Sequence, residues 1–186
     1  RKILSPAFTQ QALVKFENYI RDIAQEGLNE LLFDRGGSCI QFIEKIPALA
    51  VAKLLGLPCG ESDQFTKWAM IGGCMLAGEI SAKELEHLAR ETSAMKSYLS
   101  MHFDQSHCLD STISKPLLKL LHSECNEGTI TKDEAIGISV ILFGAGGEST
   151  SALMGSCIFY LASLPKIYQN LFCKLQKLQV LSLYFS

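Results

Sequence analysis

Apolar residues recur along most of the chain at the three- and four-residue spacing of helices that bury one face. Residues 10–34 carry Leu13, Phe16, Tyr19, Ile20, Ile23, Leu28 and Leu31 near this spacing, and Gly36-Gly37 closes the segment. Residues 39–56 form a second helix, interrupted near Pro47 and ended by Gly56 and Pro58. A third begins at Glu61 and runs to about position 70, with Trp68 facing inward. Ser81-Ala82-Lys83-Glu84 has the form of a capping box and opens a helix to about position 103. Residues 104–113 read as a polar loop, and 115–126 as a short helix broken at Asn126-Glu127-Gly128. No segment carries a strong strand signal, and there is no internal repeat. The predicted fold is mainly α.

The next stretch departs from the amphipathic pattern. Thr131-Lys132-Asp133-Glu134 is a second capping box, and its two acids suit the positive end of a helix dipole. The next firm stop is Pro165, which leaves one helix of roughly 33 residues, about 50 Å long. Between 135 and 164 the one formal charge is Glu148, and five glycines (137, 144, 146, 147, 155) share the stretch. Each glycine costs a helix interior about 1 kcal/mol relative to alanine. The helix is thereby weakened around its only carboxylate, where backbone hydrogen bonds open most readily for a ligand. At helical spacing, Glu148 shares a face with Ile141, Gly144, Ala145, Ser151, Ala152 and Gly155, while Phe143, Leu153 and Cys157 lie opposite. The expectation is a shallow groove of small side chains beside the acid.

Composition narrows the function. A net charge of −2 offers no basic face, so no nucleic-acid partner is expected. Seven widely spaced cysteines with no C-x-x-C point to reduced core thiols in a cytoplasmic setting. The four histidines (87, 102, 107, 122) have no metal-ligand spacing. The 135–164 stretch is longer than the ~20 residues that span a bilayer. Against a membrane span, a mid-membrane acid costs about 2.5–3.5 kcal/mol, and six Ser/Thr residues add to that burden. A buried helix of a soluble domain is the reading, with a membrane helix as the alternative.

Four segments then carry a resemblance. Ala145-Gly146-Gly147-Glu148-Ser149-Thr150 resembles the [A/G]-G-x-[D/E]-T-[T/S] signature of cytochrome P-450 haem-thiolate monooxygenases, on the long central helix over the haem. Arg1-Lys2-Ile3-Leu4-Ser5-Pro6-Ala7-Phe8-Thr9 is similar to the segment that ends the helix supplying a propionate-binding arginine. Ile46-Pro47-Ala48-Leu49-Ala50-Val51-Ala52-Lys53-Leu54-Leu55-Gly56-Leu57-Pro58 resembles a helix-then-proline stretch of soluble bacterial members. Tyr160-Leu161-Ala162-Ser163-Leu164-Pro165 resembles the break after the central helix. The segments arrive in the family's order and together span the chain to about position 174.

The resemblance implies the helical portion of the cytochrome P-450 fold, a bundle around one long, kinked central helix. It implies haem b as cofactor, O2 and a small apolar substrate as partners, and a ferredoxin or reductase as electron donor. Ala145 and Gly146 would leave room for O2, Glu148 and Ser149 would relay protons with Thr150 in support, and Arg1 would pair with a haem propionate. Ser149 stands where the family has threonine. None of the seven cysteines has the glycine two residues on that marks the iron-ligand loop, and no E-x-x-R occurs. In the family both elements follow the central helix. The chain is therefore expected to be an internal fragment, with residues 1–178 a partial P-450 domain and 179–186 an aberrant or disordered tail. A non-enzymatic helical bundle or an inert truncated product are the alternatives.

Overall fold

The computed structural model describes residues 3–33, 38–58, 60–78, 81–106 and 116–184, without the side chains at 11, 12, 15, 76, 77 and 175–184. The described residues form one 3-10 turn (Ser5–Phe8) and seven α-helices, with no strand among them. The helices are α1 (Gln10–Phe33), α2 (Cys39–Leu55), α3 (Ser62–Ala77), α4 (Ala82–Gln105), α5 (Leu117–Asn126), α6 (Lys132–Ser163) and α7 (Pro165–Tyr184).

Local chemistry explains several of the ends. Ser81 and Glu84 exchange both bonds of a capping box at the start of α4. Gly56 ends α2 in the left-handed conformation at φ 86°, donating its N–H back to the last turn. Two expectations are corrected. Pro47 does not interrupt α2. It is buried with Ile46, Ala48 and Leu49, and this packing holds the helix through a position that propensity alone would break. The third helix does not stop near 70 but continues to Ala77, because its Gly72 and Gly73 pack against another helix. Gly36-Gly37 and most of the expected 104–113 loop lie outside the described residues.

The chain divides into two compact units, 1–151 and 152–186. The first holds a core of Ala52, Leu55, Phe65, Met95, Leu99, Leu117, Leu118, Leu121, Ala135 and Phe143. Consecutive helices α1 to α5 pack on one another. Phe65 and Trp68 of α3, Tyr98 of α4 and Phe143 of α6 form an aromatic cluster, with Phe65–Phe143 centroids 5.9 Å apart and Trp68–Tyr98 5.2 Å apart. Such pairs add about 0.5–1.5 kcal/mol beyond area burial. Burial, then the Glu61 charge, push the Tyr98 phenol up to about 12.

His102 packs against Tyr98 with ring centroids 4.4 Å apart, and burial holds its imidazole below the ordinary value of about 6.5. The unfolded chain then binds this proton more readily than the folded one. Stability is full above pH ~6.5 and falls as the pH drops toward the folded value. His102→Gln should flatten this part of a plot of urea midpoint against pH. The loss at lower pH should remain. It comes from Glu84, Glu91 and Glu134, which hydrogen bonds from Ser81, Lys67 and Thr131 hold below the usual carboxylate range. An unchanged slope around pH 6 would exclude His102 as its source.

The second unit comprises the end of α6 and α7. Pro165 opens α7 where its missing N–H is an orphan anyway. Leu153, Phe159, Tyr160, Leu164, Ile167, Tyr168, Leu171 and Phe172 are exposed along this unit. The backbone of α7 takes in 179–184 of the expected tail. The five described cysteines are free thiols, but Cys74, Cys157 and Cys173 are exposed and not core residues. Helix α6 is the one described helix long and apolar enough to cross a membrane. About a third of its apolar window is buried inside the molecule.

Candidate active site on the central helix

Thr131 and Glu134 start α6 as the sequence predicts. The Thr131 amide donates to Glu134 Oε2 at 2.7 Å, and the Glu134 amide donates to Thr131 Oγ1 at 3.2 Å. From there the helix runs unbroken through Gly146-Gly147 and past Glu148.

The glycines around Glu148 are used by neighbouring helices. A Cβ on Gly144 would sit 2.7 Å from the Gly72 carbonyl carbon of α3, and one on Gly147 would collide with Ala69. A Cβ on Gly146 would sit 2.8 Å from Val51 Cγ2 of α2. A Cβ on Gly73 would collide with the Glu148 carboxylate, so that side chain lies directly over the α3 backbone. This corrects the expected groove. Gly144 and Ser151 are buried with Ala135, Ile136, Ser139, Phe143 and Gly147 on the packed side of α6. Ala145 and Ala152 are exposed and do not share that side. Leu153 and Cys157, expected opposite the groove beside the buried Phe143, are exposed as well.

What remains open at the level of Glu148 includes a stripe of side chains along α6. Ile141, Ala145 and Ser149 follow at four-residue steps, and all three are exposed, Ile141 at 60%. Glu148 is half-buried at the edge between the stripe and the α3 contact, with no hydrogen bond or ion pair to any described residue. Ser149 Oγ donates to the Ala145 carbonyl at 2.7 Å. Its hydroxyl proton is thus held on the helix, and its lone pairs are left to accept. The stripe offers an apolar residue, a small residue and a hydroxyl in line, with one carboxylate beside them.

The predicted residues are not all brought together. Ala145, Glu148 and Ser149 border one open face. Gly146 is turned toward α2. Thr150 is exposed but points about 100° around the helix from Ser149. Arg1 lies outside the described residues. Two features were missed from sequence. One is Gly72-Gly73, a glycine pair inside an apolar helix that marks a close backbone approach. The other is Ser151, whose hydroxyl reaches the Ile43 carbonyl of α2 at 3.3 Å.

No family model matches the chain. It is 31% identical to cytochrome P450 144 of Mycobacterium tuberculosis over 136 residues, 71% of this chain and 31% of that protein. It is 22% identical over 175 residues to the mycinamicin IV hydroxylase/epoxidase of Micromonospora griseorubida, and 27% identical over 180 residues to cytochrome P450(MEG) of Priestia megaterium. Each of these two alignments takes in 92% of this chain and 42% of the relative, so the chain spans less than half the length of the curated relatives it matches. The ligand-free structure of cytochrome P450 TbtJ1 superposes with a TM-score of 0.71 at 25% identity, over 91% of this chain and 44% of that one. Cytochrome P450 MoxA from Nonomuraea recticatena, at 19% identity and a TM-score of 0.69, shares the fold over 89% of this chain and 40% of its own. The acid-and-hydroxyl signature thus stands on an unbroken central helix, in a fold matched over nine-tenths of the chain by solved cytochromes P450, and the chain belongs to the cytochrome P450 family.

Proposed function

We propose that this chain supplies the helical wall over the haem in a longer haem-thiolate monooxygenase that hydroxylates a small apolar substrate. The observation that carries this reading is the open stripe Ile141–Ala145–Ser149, with Glu148 at its edge, beside a side of α6 that Gly144, Gly146 and Gly147 let its neighbours pack against. The stripe fits a flat apolar group: it is small at Ala145 and carries no charged side chain. Haem b, when bound through a cysteine outside this chain, supplies O2 activation with two electrons from a ferredoxin or reductase.

The chain's own residues orient and deliver. Ala145 leaves room for O2. Gly146, lacking a Cβ, lets α2 approach from behind and keeps Ala145 on the open side. Glu148 carries a proton at its carboxylate from the α3 edge toward the open face. Ser149 Oγ relays it: a lone pair accepts that proton while the hydroxyl turns from the Ala145 carbonyl and gives up its own proton toward the open face. Thr150 supports from the adjoining side, and the Arg1 guanidinium pairs with a propionate. We place the protein in the cytoplasm, with α6 covered by the rest of the longer protein and not a membrane span.

The test is the spectrum of the reduced protein with CO. A longer protein containing this chain should show the thiolate-type Soret band. Residues 1–186 alone should not, because none of their cysteines has the ligand context. That band in the isolated chain, or its absence in the longer protein, would overturn the proposal.

A further inference from the structure

Pro47 leaves a gap in α2 that the central helix fills. Proline has no backbone N–H, so the Ile43 carbonyl four residues earlier loses its helical donor, and the ring pushes that carbonyl outward. Pro47 lies in the buried part of α2, where an unpaired backbone acceptor is costly. Ser151 Oγ lies 3.3 Å from the Ile43 oxygen, across 108 residues of sequence, and 2.9 Å from the Gly147 oxygen of its own helix. One O–H cannot serve both fully. The Gly147 carbonyl already faces the Ser151 amide within a continuous helix, whereas the Ile43 carbonyl has lost its amide. Ser151 is 6% exposed and Ile43 is half-buried, so the Ser151 hydroxyl is the donor the fold brings to that carbonyl.

We propose that Ser151 is a positioning residue that replaces the donor Pro47 removes, clamping α6 to α2 and fixing the rotation of α6 that turns Ala145 and Ser149 outward. Ser151 is on the packed side with Gly144 and Gly147, three residues beyond Glu148. An anchor there holds Glu148 over Gly73 and keeps the stripe open. The clamp rests on contacts alone; its bearing on turnover rests on the proposed function.

A double-mutant cycle on the full chain tests the clamp, with Ser151→Ala and Pro47→Ala read by urea unfolding and by amide hydrogen exchange over 144–151. Pro47→Ala returns an amide donor to α2. Ser151→Ala should lower the folding equilibrium constant about fivefold in the parent. In the Pro47→Ala background it should do so by less than about twofold. Exchange at Glu148 and Ser149 should quicken in the single variant and recover in the double. Simple loss of packing would act equally in both backgrounds, so equal effects overturn the clamp. In the longer haem-loaded protein, Ser151→Ala should lower product per electron and Pro47→Ala should restore it. Coupled stability with unchanged product per electron would overturn the positioning role. Failure of that protein to bind haem would overturn the proposed function instead, and the cycle in the chain would still decide the clamp.

Discussion

Ser149→Ala, made in the longer haem-loaded protein, is expected to divert turnover from product to hydrogen peroxide and to slow product formation by about 10²–10⁴-fold. The hydroxyl is on the open face of α6, one residue from the half-buried Glu148, and its proton is held by the Ala145 carbonyl at 2.7 Å. Alanine removes the hydroxyl that would accept a proton from the acid side and pass its own on. Folding should be spared. The side chain is exposed, alanine is the better helix former, and the hydroxyl bonds only within its own turn. Thermal unfolding should therefore stay level while product per electron collapses. Ser149→Thr should match or exceed the parent, because a β-branched side chain is stiffer at χ1. Unchanged product per electron in the alanine variant would remove Ser149 from the relay.

Gly144→Ala is expected to destabilise the fold by about 1–3 kcal/mol, as overpacking in a close helix contact does. Two effects oppose each other at this site. Alanine gains about 1 kcal/mol of helix propensity over glycine. Its Cβ, however, would meet the Gly72 carbonyl carbon at 2.7 Å and its Cα at 2.9 Å, and neither backbone atom can move aside without parting α3 from α6. The steric term should win. Gly137→Ala is the control, because no atom lies within 4 Å of the added Cβ. There the propensity term acts alone, and stability should rise by roughly 0.5–1 kcal/mol. Urea midpoints moving in opposite directions at constant slope would verify both. A shift in the same direction would deny that Gly144 is held by α3.

Residues close in sequence explain what could be read before the structure. Both capping boxes, the Gly56 stop and the Pro165 restart depend on partners within a turn or two, and each stands where its residues predict. Glu148 and Ser149 were marked by composition, as the lone acid of a long apolar helix and the hydroxyl beside it. The faces of that helix could not be settled the same way. A spacing of three or four residues groups Gly144 and Ser151 with Ala145, but the choice of buried side belongs to α2 and α3, whose contacts come from residues about 70 or more positions away. For the same reason Pro47 read as an interruption. The donor that offsets its missing hydrogen bond sits in another helix.

On the proposed function, the exposed side of α6 at Ala145 is the wall of the ligand site. The most direct test of this claim is CO association with the reduced, haem-loaded longer protein carrying Ala145→Phe. Ala145 is exposed and outside the packed contacts of α6, so the variant should unfold at the parent's temperature. The ring should nevertheless fill the space over the haem and block or greatly slow CO binding. Parent-like CO association in a folded, haem-loaded variant would contradict the claim and move the site off this face.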